Sequence, residues 1–453
     1  VRPYDELLLD AAKRSIRYRN EIEERRVAPS DEAVARVDEF FEPLGDKGTD
    51  DATILEMLDD IGSPASVGIS GPRFFGFVIG GSYPVTVATN WLTTAWDQNV
   101  SMHDVTPAAS TLEQVSMGWL KDILGLPESA AAAFVTGATV ANFSSLAGAR
   151  NKVYRDVGWN VEAEGLFGAP PCTVIIGEEA HPTLIKSLGM LGFGRERVHR
   201  VPVDDQGRMI AAELPPIKGP TIVCTQAGNV NTGAFDPVGE ICERVRPQGA
   251  WVHVDGAFGL WAMASQEKRS LAEGVGKADS WATDAHKWLN VPYDCGVAFV
   301  RDGDALQAAM SVSAEYLKTD SGTREPCFFT PELSRRARGV DVWAALKSLG
   351  RDGVEDLVDR CCRHARQFAR ELAAAGFTIH NDVVLNQVLV SFGDADNTRR
   401  IIDGVQKEGT CWCGITVWQG TTAMRISVSA WSTTTEDVEK SVAAIIRVAK
   451  ENR

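Results

Sequence analysis

The chain has 453 residues, a formal net charge of −15 and a pI near 5.1, with 44% hydrophobic and 24% charged residues. That acidity argues against a nucleic-acid binder and against a basic membrane-facing patch. The length suits one large domain with attached parts, and nine scattered cysteines make no disulfide framework, so they read as reduced thiols in a cytoplasmic protein.

Residues 1–70 are charged and helical in pattern, as in Glu6-Leu7-Leu8-Leu9 and Thr53-Ile54-Leu55-Glu56-Met57-Leu58. Such a segment does not hold a core alone, so it is expected to pack on another subunit. The chain opens on Val1 without a charged-then-apolar leader, and no secretion signal is expected. From 71 to about 300, short β-rich runs alternate with helical ones. Strands are expected at 133–135, 173–176, 221–224, 251–254 and 296–300. Several end in a polar residue or glycine before a helical stretch, which predicts an α/β domain over 71–340 with a mostly parallel sheet covered by helices. Two stretches of about 20 residues, 74–96 and 129–149, carry no charge. Their Gly, Ser, Pro, Asn and Thr content reads as buried enzyme core and not as membrane spans. Beyond 340 the texture changes. A long helix is expected from 340 to about 375, a strand at 388–392, a helix at 398–407, a strand at 424–428 and a final helix whose capped first turn is Thr435-Glu436-Asp437. This makes a smaller α+β domain over 341–453.

Four pieces of the chain carry chemistry. Thr136-Gly137-Ala138-Thr139 stands between a strand and a helix, where small residues let backbone N–H groups and a hydroxyl approach a phosphate at a helix N-terminus. Any strand-to-helix turn favours Gly and Thr, so the motif alone is not specific. His181 follows another strand; an imidazole there can stack on a flat cofactor, or serve only structure. Asp255 ends the buried run Val252-His253-Val254-Asp255, and a buried carboxylate needs a cation, such as a protonated pyridine nitrogen. A metal held by His253 and Asp255 is the alternative, but no third ligand is evident in the sequence, and no metal is expected. Lys287 is flanked by apolar Trp288 and Leu289 after a strand; burial would favour the neutral amine that forms an imine.

In their order, these residues closely resemble the group II pyridoxal-phosphate-dependent decarboxylases, of the aromatic-L-amino-acid decarboxylase kind. The likeness runs from Pro72 to Thr434, through Arg73-Phe74-Phe75-Gly76-Phe77, Ser82-Tyr83-Pro84, Pro107-Ala108-Ala109-Ser110-Thr111-Leu112-Glu113, Thr136 to Asn142, Gly233-Ala234-Phe235-Asp236-Pro237, Val252 to Asp255, His286-Lys287-Trp288-Leu289 and Arg335-Arg336-Ala337-Arg338-Gly339. The resemblance implies the aspartate-aminotransferase-like fold, PLP-dependent transferase fold type I, in a homodimer with shared active sites, and pyridoxal 5′-phosphate as cofactor. It implies that Lys287 forms the internal aldimine, that Asp255 pairs with the pyridine nitrogen, that His181 stacks on the ring and that Ala257 packs on its other face. Ala138 and Thr139 would bind the phosphate, with Asp284 and His286 close by; many relatives carry asparagine where Asp284 stands. Arg425 matches an arginine that holds the substrate carboxylate in some relatives, or is a salt bridge at a strand end. Phe77 and Tyr83 would suit an apolar substrate pocket, or equally a dimer core.

The implied reaction is decarboxylation of an L-amino acid, aromatic or bulky and apolar, through a quinonoid to the amine. One departure bears on the product. Many aromatic amino acid decarboxylases carry a loop tyrosine shortly before the motif matching Arg335-Arg336, and 320–332 contains none; Tyr316 lies earlier. Loss of that residue favours an aldehyde product in the family, so an aldehyde synthase or another carbon–carbon lyase is the first alternative. An aminotransferase is the second, and a cofactor-bound protein without turnover the third.

Overall fold

The computed structural model describes residues 3–311 and 324–452. They form two compact units: residues 3–79, Arg366–His380 and 388–452 make the first, and Gly80–Ala365 with Asn381–Gln387 the second.

The second unit is built on a seven-stranded sheet. In chain order its strands are β1 (Ala131–Val135), β2 (Thr173–Gly177), β3 (His199–Val201), β4 (Thr221–Gln226), β5 (Trp251–Asp255), β6 (Ser280–Asp284) and β7 (Gly296–Val300). Across the sheet they lie in the order β1-β7-β6-β5-β4-β2-β3. The ladders from β6 through β5, β4 and β2 to β3 are parallel, while β7 is antiparallel to both β6 and β1. The expected mostly parallel sheet is present. β4 to β7 are buried along their whole lengths, as strands covered on both faces are, and polar residues inside them such as His253 and Ser280 are hydrogen-bonded. Helix Ala138–Arg155 packs over β5, β6 and β7, and helix Val238–Val245 packs on β5.

Because β1 and β6 both run against β7, they run the same way, and Val135, Gly296 and Asp284 fall in one register row. The carboxyl ends of β1, β4, β5 and β6 therefore share one edge, where ligands of such sheets bind.

The first unit carries a four-stranded sheet of β8 (Thr378–Ile379), β9 (Gln387–Ser391), β10 (Gly414–Trp418) and β11 (Thr421–Ser427), ordered β10-β11-β9-β8. Arg73 and Asp437 form a buried ion pair at 3.1 Å. Asp437 also closes a capping box with Thr434 at the start of the last helix, Thr435–Glu451, so Thr435-Glu436-Asp437 is its capped first turn, as expected. The expected helix at 340–375 is Arg338–Ala374, interrupted at Gly350, whose φ of 63° only glycine adopts without strain.

Candidate active site

The site grows from the shared strand edge. After β1 the chain turns through Thr136 and Gly137 into the helix that begins at Ala138. A Cβ on Gly296, the first residue of β7, would fall inside contact distance of the Gly137 backbone, so the close approach of strand and turn depends on that glycine.

Asp255 ends β5 nearly buried, 5% exposed. It accepts the Ala257 N–H at 3.2 Å and an Asn142 amide N–H at 3.1 Å. His253, one pleat back, is fully buried, with Nδ1 at 2.8 Å from Ser280 Oγ and Nε2 at 2.8 Å from Asn142 Oδ1. Both ring nitrogens are engaged by protein groups, which removes the alternative of a metal on His253 and Asp255.

Asp284 ends β6. Its Oδ1 accepts the Ala138 N–H at 2.6 Å and lies 3.6 Å from His286 Nε2, while Oδ2 lies 3.1 Å from Lys287 Nζ. His286 Nδ1 accepts the Cys295 N–H at 3.0 Å, so the proton of the neutral ring sits on Nε2, and burial pushes the imidazole pKa down. The ring stacks on Tyr293, centroids 4.3 Å apart. Burial pushes the Tyr293 phenol up to about 12, with Asp284 adding to the rise. Trp288 and Leu289 are buried as their apolar character required, but Lys287 itself is half-buried and its amine faces a carboxylate. The expectation of an apolar surround for that amine is corrected: alternate residues of this segment point to different surroundings, and Asp284 lies on the lysine's side.

His181 caps helix Pro182–Met190, its Nδ1 accepting the Thr183 N–H at 3.3 Å. Gln226, at the end of β4, donates its side-chain amide to the Glu179 carbonyl at 2.9 Å and holds the segment that leads to His181. Gln226 is anchored in turn through its backbone N–H to Asp236, whose buried carboxyl is pushed up to about 6 by desolvation.

These groups line one cavity of about 390 Å³. Ala138, Thr139, His181, Asp255, Ala257, Asp284, His286 and Lys287 all contribute to its wall, as do Gln226, Val230, Phe258 and Tyr293, which sequence reasoning did not single out. Tyr83 is not in that lining; its backbone N–H donates to Asn290 O at 2.7 Å, just after Lys287. Phe77 and Arg425 belong to the first unit. Phe77 is exposed and stacks on Trp412, and Arg425 sits in β11 opposite Gly414, its guanidinium pKa pulled down by burial. The missing-tyrosine stretch at 320–332 lies in part, and Tyr316 wholly, outside the described residues. Asn142 stands one helical turn after Ala138 and is fully buried; its contact with Asp255 joins residues 113 positions apart, so no local signal in the sequence marks it.

Pyridoxal phosphate fits these residues. The cavity offers a buried carboxylate with, among the described residues, no ion-pair partner, a primary amine on the same wall and a helix start beside a tight glycine turn. Comparison with known proteins agrees. The model of the pyridoxal-dependent decarboxylase conserved domain matches residues 46–393. The chain is 26% identical over 374 residues to an aromatic-L-amino-acid decarboxylase of Bacillus atrophaeus, covering 80% of this chain and 75% of that protein. It is 30% identical over 342 residues to the acidic amino acid decarboxylase GADL1 of Bos taurus, covering 73% of this chain and 64% of that protein's length. In structure it is similar to a TDC of Oryza sativa solved with PLP and tryptamine, with a TM-score of 0.91, 21% identity and coverage of 100% and 99% of the two chains.

Proposed function

The chain belongs to the pyridoxal-dependent decarboxylase family, and from that premise we propose that it removes CO2 from an L-amino acid with an aromatic or bulky apolar side chain, leaving the amine. The observation that carries this reading is the placement of Asp255 and Lys287 in the wall of one cavity. Bound pyridoxal phosphate supplies an electron sink for the pair released when the Cα–carboxylate bond breaks. Lys287 holds the cofactor covalently, and Asp255 keeps its ring nitrogen protonated. Ala138 and Thr139 receive the phosphate at the helix start, with Asp284 and His286 beside them. His181 and Ala257 would flank the ring, and the imidazole of His181, in the cavity wall, is a candidate to hand a proton to Cα. Which bond breaks is decided by how these groups orient the substrate.

An apolar substrate side chain is supported by Val230, Phe258 and Tyr293 in the lining, which contains no arginine among the described residues. Resemblance alone supports Arg425 as a holder of the substrate carboxylate, and Phe77 and Tyr83 suit an apolar pocket or equally a dimer core. The higher identity to an acidic amino acid decarboxylase favours a second reading, with an acidic substrate. A homodimer with shared sites and the segment 1–70 packed on the partner completes the reading. A cytoplasmic location is supported by nine free thiols.

The test is a panel of single amino acids on the cofactor-loaded enzyme, with CO2 and O2 followed together. CO2 from tryptophan, tyrosine or phenylalanine without O2 uptake is the expected result. CO2 only from glutamate, aspartate or cysteine sulfinate would establish the second reading. O2 consumed with CO2 would make the protein an aldehyde synthase, and transfer of the amine to a 2-oxo acid would make it an aminotransferase.

A further inference from the structure

Resting on the reading of Asp255 as the partner of the cofactor's ring nitrogen, we infer that Trp251, Ser280, His253 and Asn142 form a one-way hydrogen-bond chain that orients the Asp255 carboxylate. Every direction in the chain follows from what each atom is able to do. An indole N–H only donates, and Trp251 Nε1 lies 2.8 Å from Ser280 Oγ. At the far end Asn142 Nδ2 donates to Asp255 Oδ2 at 3.1 Å. The opposite amide orientation would set an oxygen against a carboxylate, so Asn142 Oδ1 is the atom that faces His253 Nε2. An amide oxygen only accepts, and Nε2 therefore carries the imidazole proton. Burial lowers the His253 pKa to about 4, which leaves the ring neutral with a single N–H. Its Nδ1 is then an acceptor, filled by the Ser280 hydroxyl at 2.8 Å.

Trp251, Ser280, His253 and Asn142 are all buried, and each link from Trp251 to Asp255 points the same way. Aligned hydrogen bonds in a low-dielectric interior polarise one another, and the chain ends by delivering an N–H to the carboxylate. That bond holds Asp255 in one rotamer, with its remaining acceptor capacity toward the cavity. Asn142, His253 and Ser280 are thus positioning residues, acting on the cofactor through Asp255. The chain spans β5, β6 and the helix from Ala138, so the same bonds hold the strand edge of the site together.

Two readouts on the holoenzyme test this. Nitrogen-15 NMR of labelled histidine, assigned with a His253→Gln variant, is expected to show His253 protonated at Nε2 alone; the Nδ1–H tautomer or a doubly protonated ring would overturn the inference. With pyridoxal phosphate labelled at its ring nitrogen, Asn142→Leu is expected to move that resonance from the pyridinium range toward neutral pyridine. It should lower kcat on the order of tenfold, as loss of an outer partner of a bound group does, with KM held within about twofold. Ser280→Ala should move the resonance the same way by less, and Ser280→Thr, which retains the hydroxyl, should restore it. Where Asn142→Leu does not fold, the two Ser280 variants carry the comparison. An unmoved resonance in these variants overturns the inference, whereas an unprotonated ring nitrogen already in the unaltered enzyme overturns the reading of Asp255 beneath it.

Discussion

Asp284 Oδ1 accepts the Ala138 N–H at 2.6 Å, so a carboxylate occupies a donor at the helix start where a cofactor phosphate is expected to bind. Two anions at one helix start repel, which weakens cofactor binding. The groups facing Asp284 are His286 and Lys287 on the segment that follows it, then Tyr293 and Cys295, and the Ala138 backbone N–H. Burial pushes the His286 pKa down, so that imidazole does little to offset the repulsion. In Asp284→Asn, affinity for pyridoxal phosphate is therefore expected to be about tenfold tighter, from the removed charge repulsion. Spectroscopic titration of the cofactor-free protein measures this, and a weaker Asn variant would contradict it. Asp255 and Lys287 were legible in the sequence because a carboxylate ending an apolar strand and a lysine beside Trp288 conflict with their surroundings unless they serve chemistry. Asn142 was not, because its role depends on meeting Asp255, 113 positions away, and nothing local marks that meeting.

At the scale of elements, β7 explains how the Thr136–Thr139 turn is held. Its antiparallel entry between β1 and β6 places Gly296 against Gly137. Gly296→Ala is expected to push the Thr136–Thr139 turn aside, costing about 1–3 kcal/mol of stability by overpacking. Urea denaturation measures that loss, and cofactor affinity should fall with it; unchanged stability and affinity would show the approach to be slack. Strands such as Thr221–Gln226 and Trp251–Asp255 could be read in advance because they are buried on both faces and rich in β-branched and aromatic residues, Ile222 and Val223 in the first and Trp251, Val252 and Val254 in the second. His199–Val201 and Gly414–Trp418 were missed for the opposite reason. The first is a three-residue edge strand beginning with exposed His199 and Arg200, and the second alternates half-buried and exposed positions around Thr416.

For the whole molecule, helix Pro84–Trp96 in the second unit exposes Trp91, Leu92 and Trp96, and helix Pro3–Glu21 in the first exposes Leu8, Leu9 and Ile16. Apolar surface of this kind is what a subunit interface covers. Sedimentation is expected to find a dimer at micromolar concentration, and Leu92→Glu to shift it toward monomer with loss of activity; a fully active monomer would remove the shared-site reading. The residue that decides the account is Lys287, and the holoenzyme tests it directly. Borohydride reduction fixes the covalent link between cofactor and lysine, and peptide mass spectrometry then locates it. The added mass is expected on the peptide carrying Lys287, with no fixed cofactor in Lys287→Ala. Cofactor fixed on another lysine, or none fixed in a saturated enzyme, would contradict it.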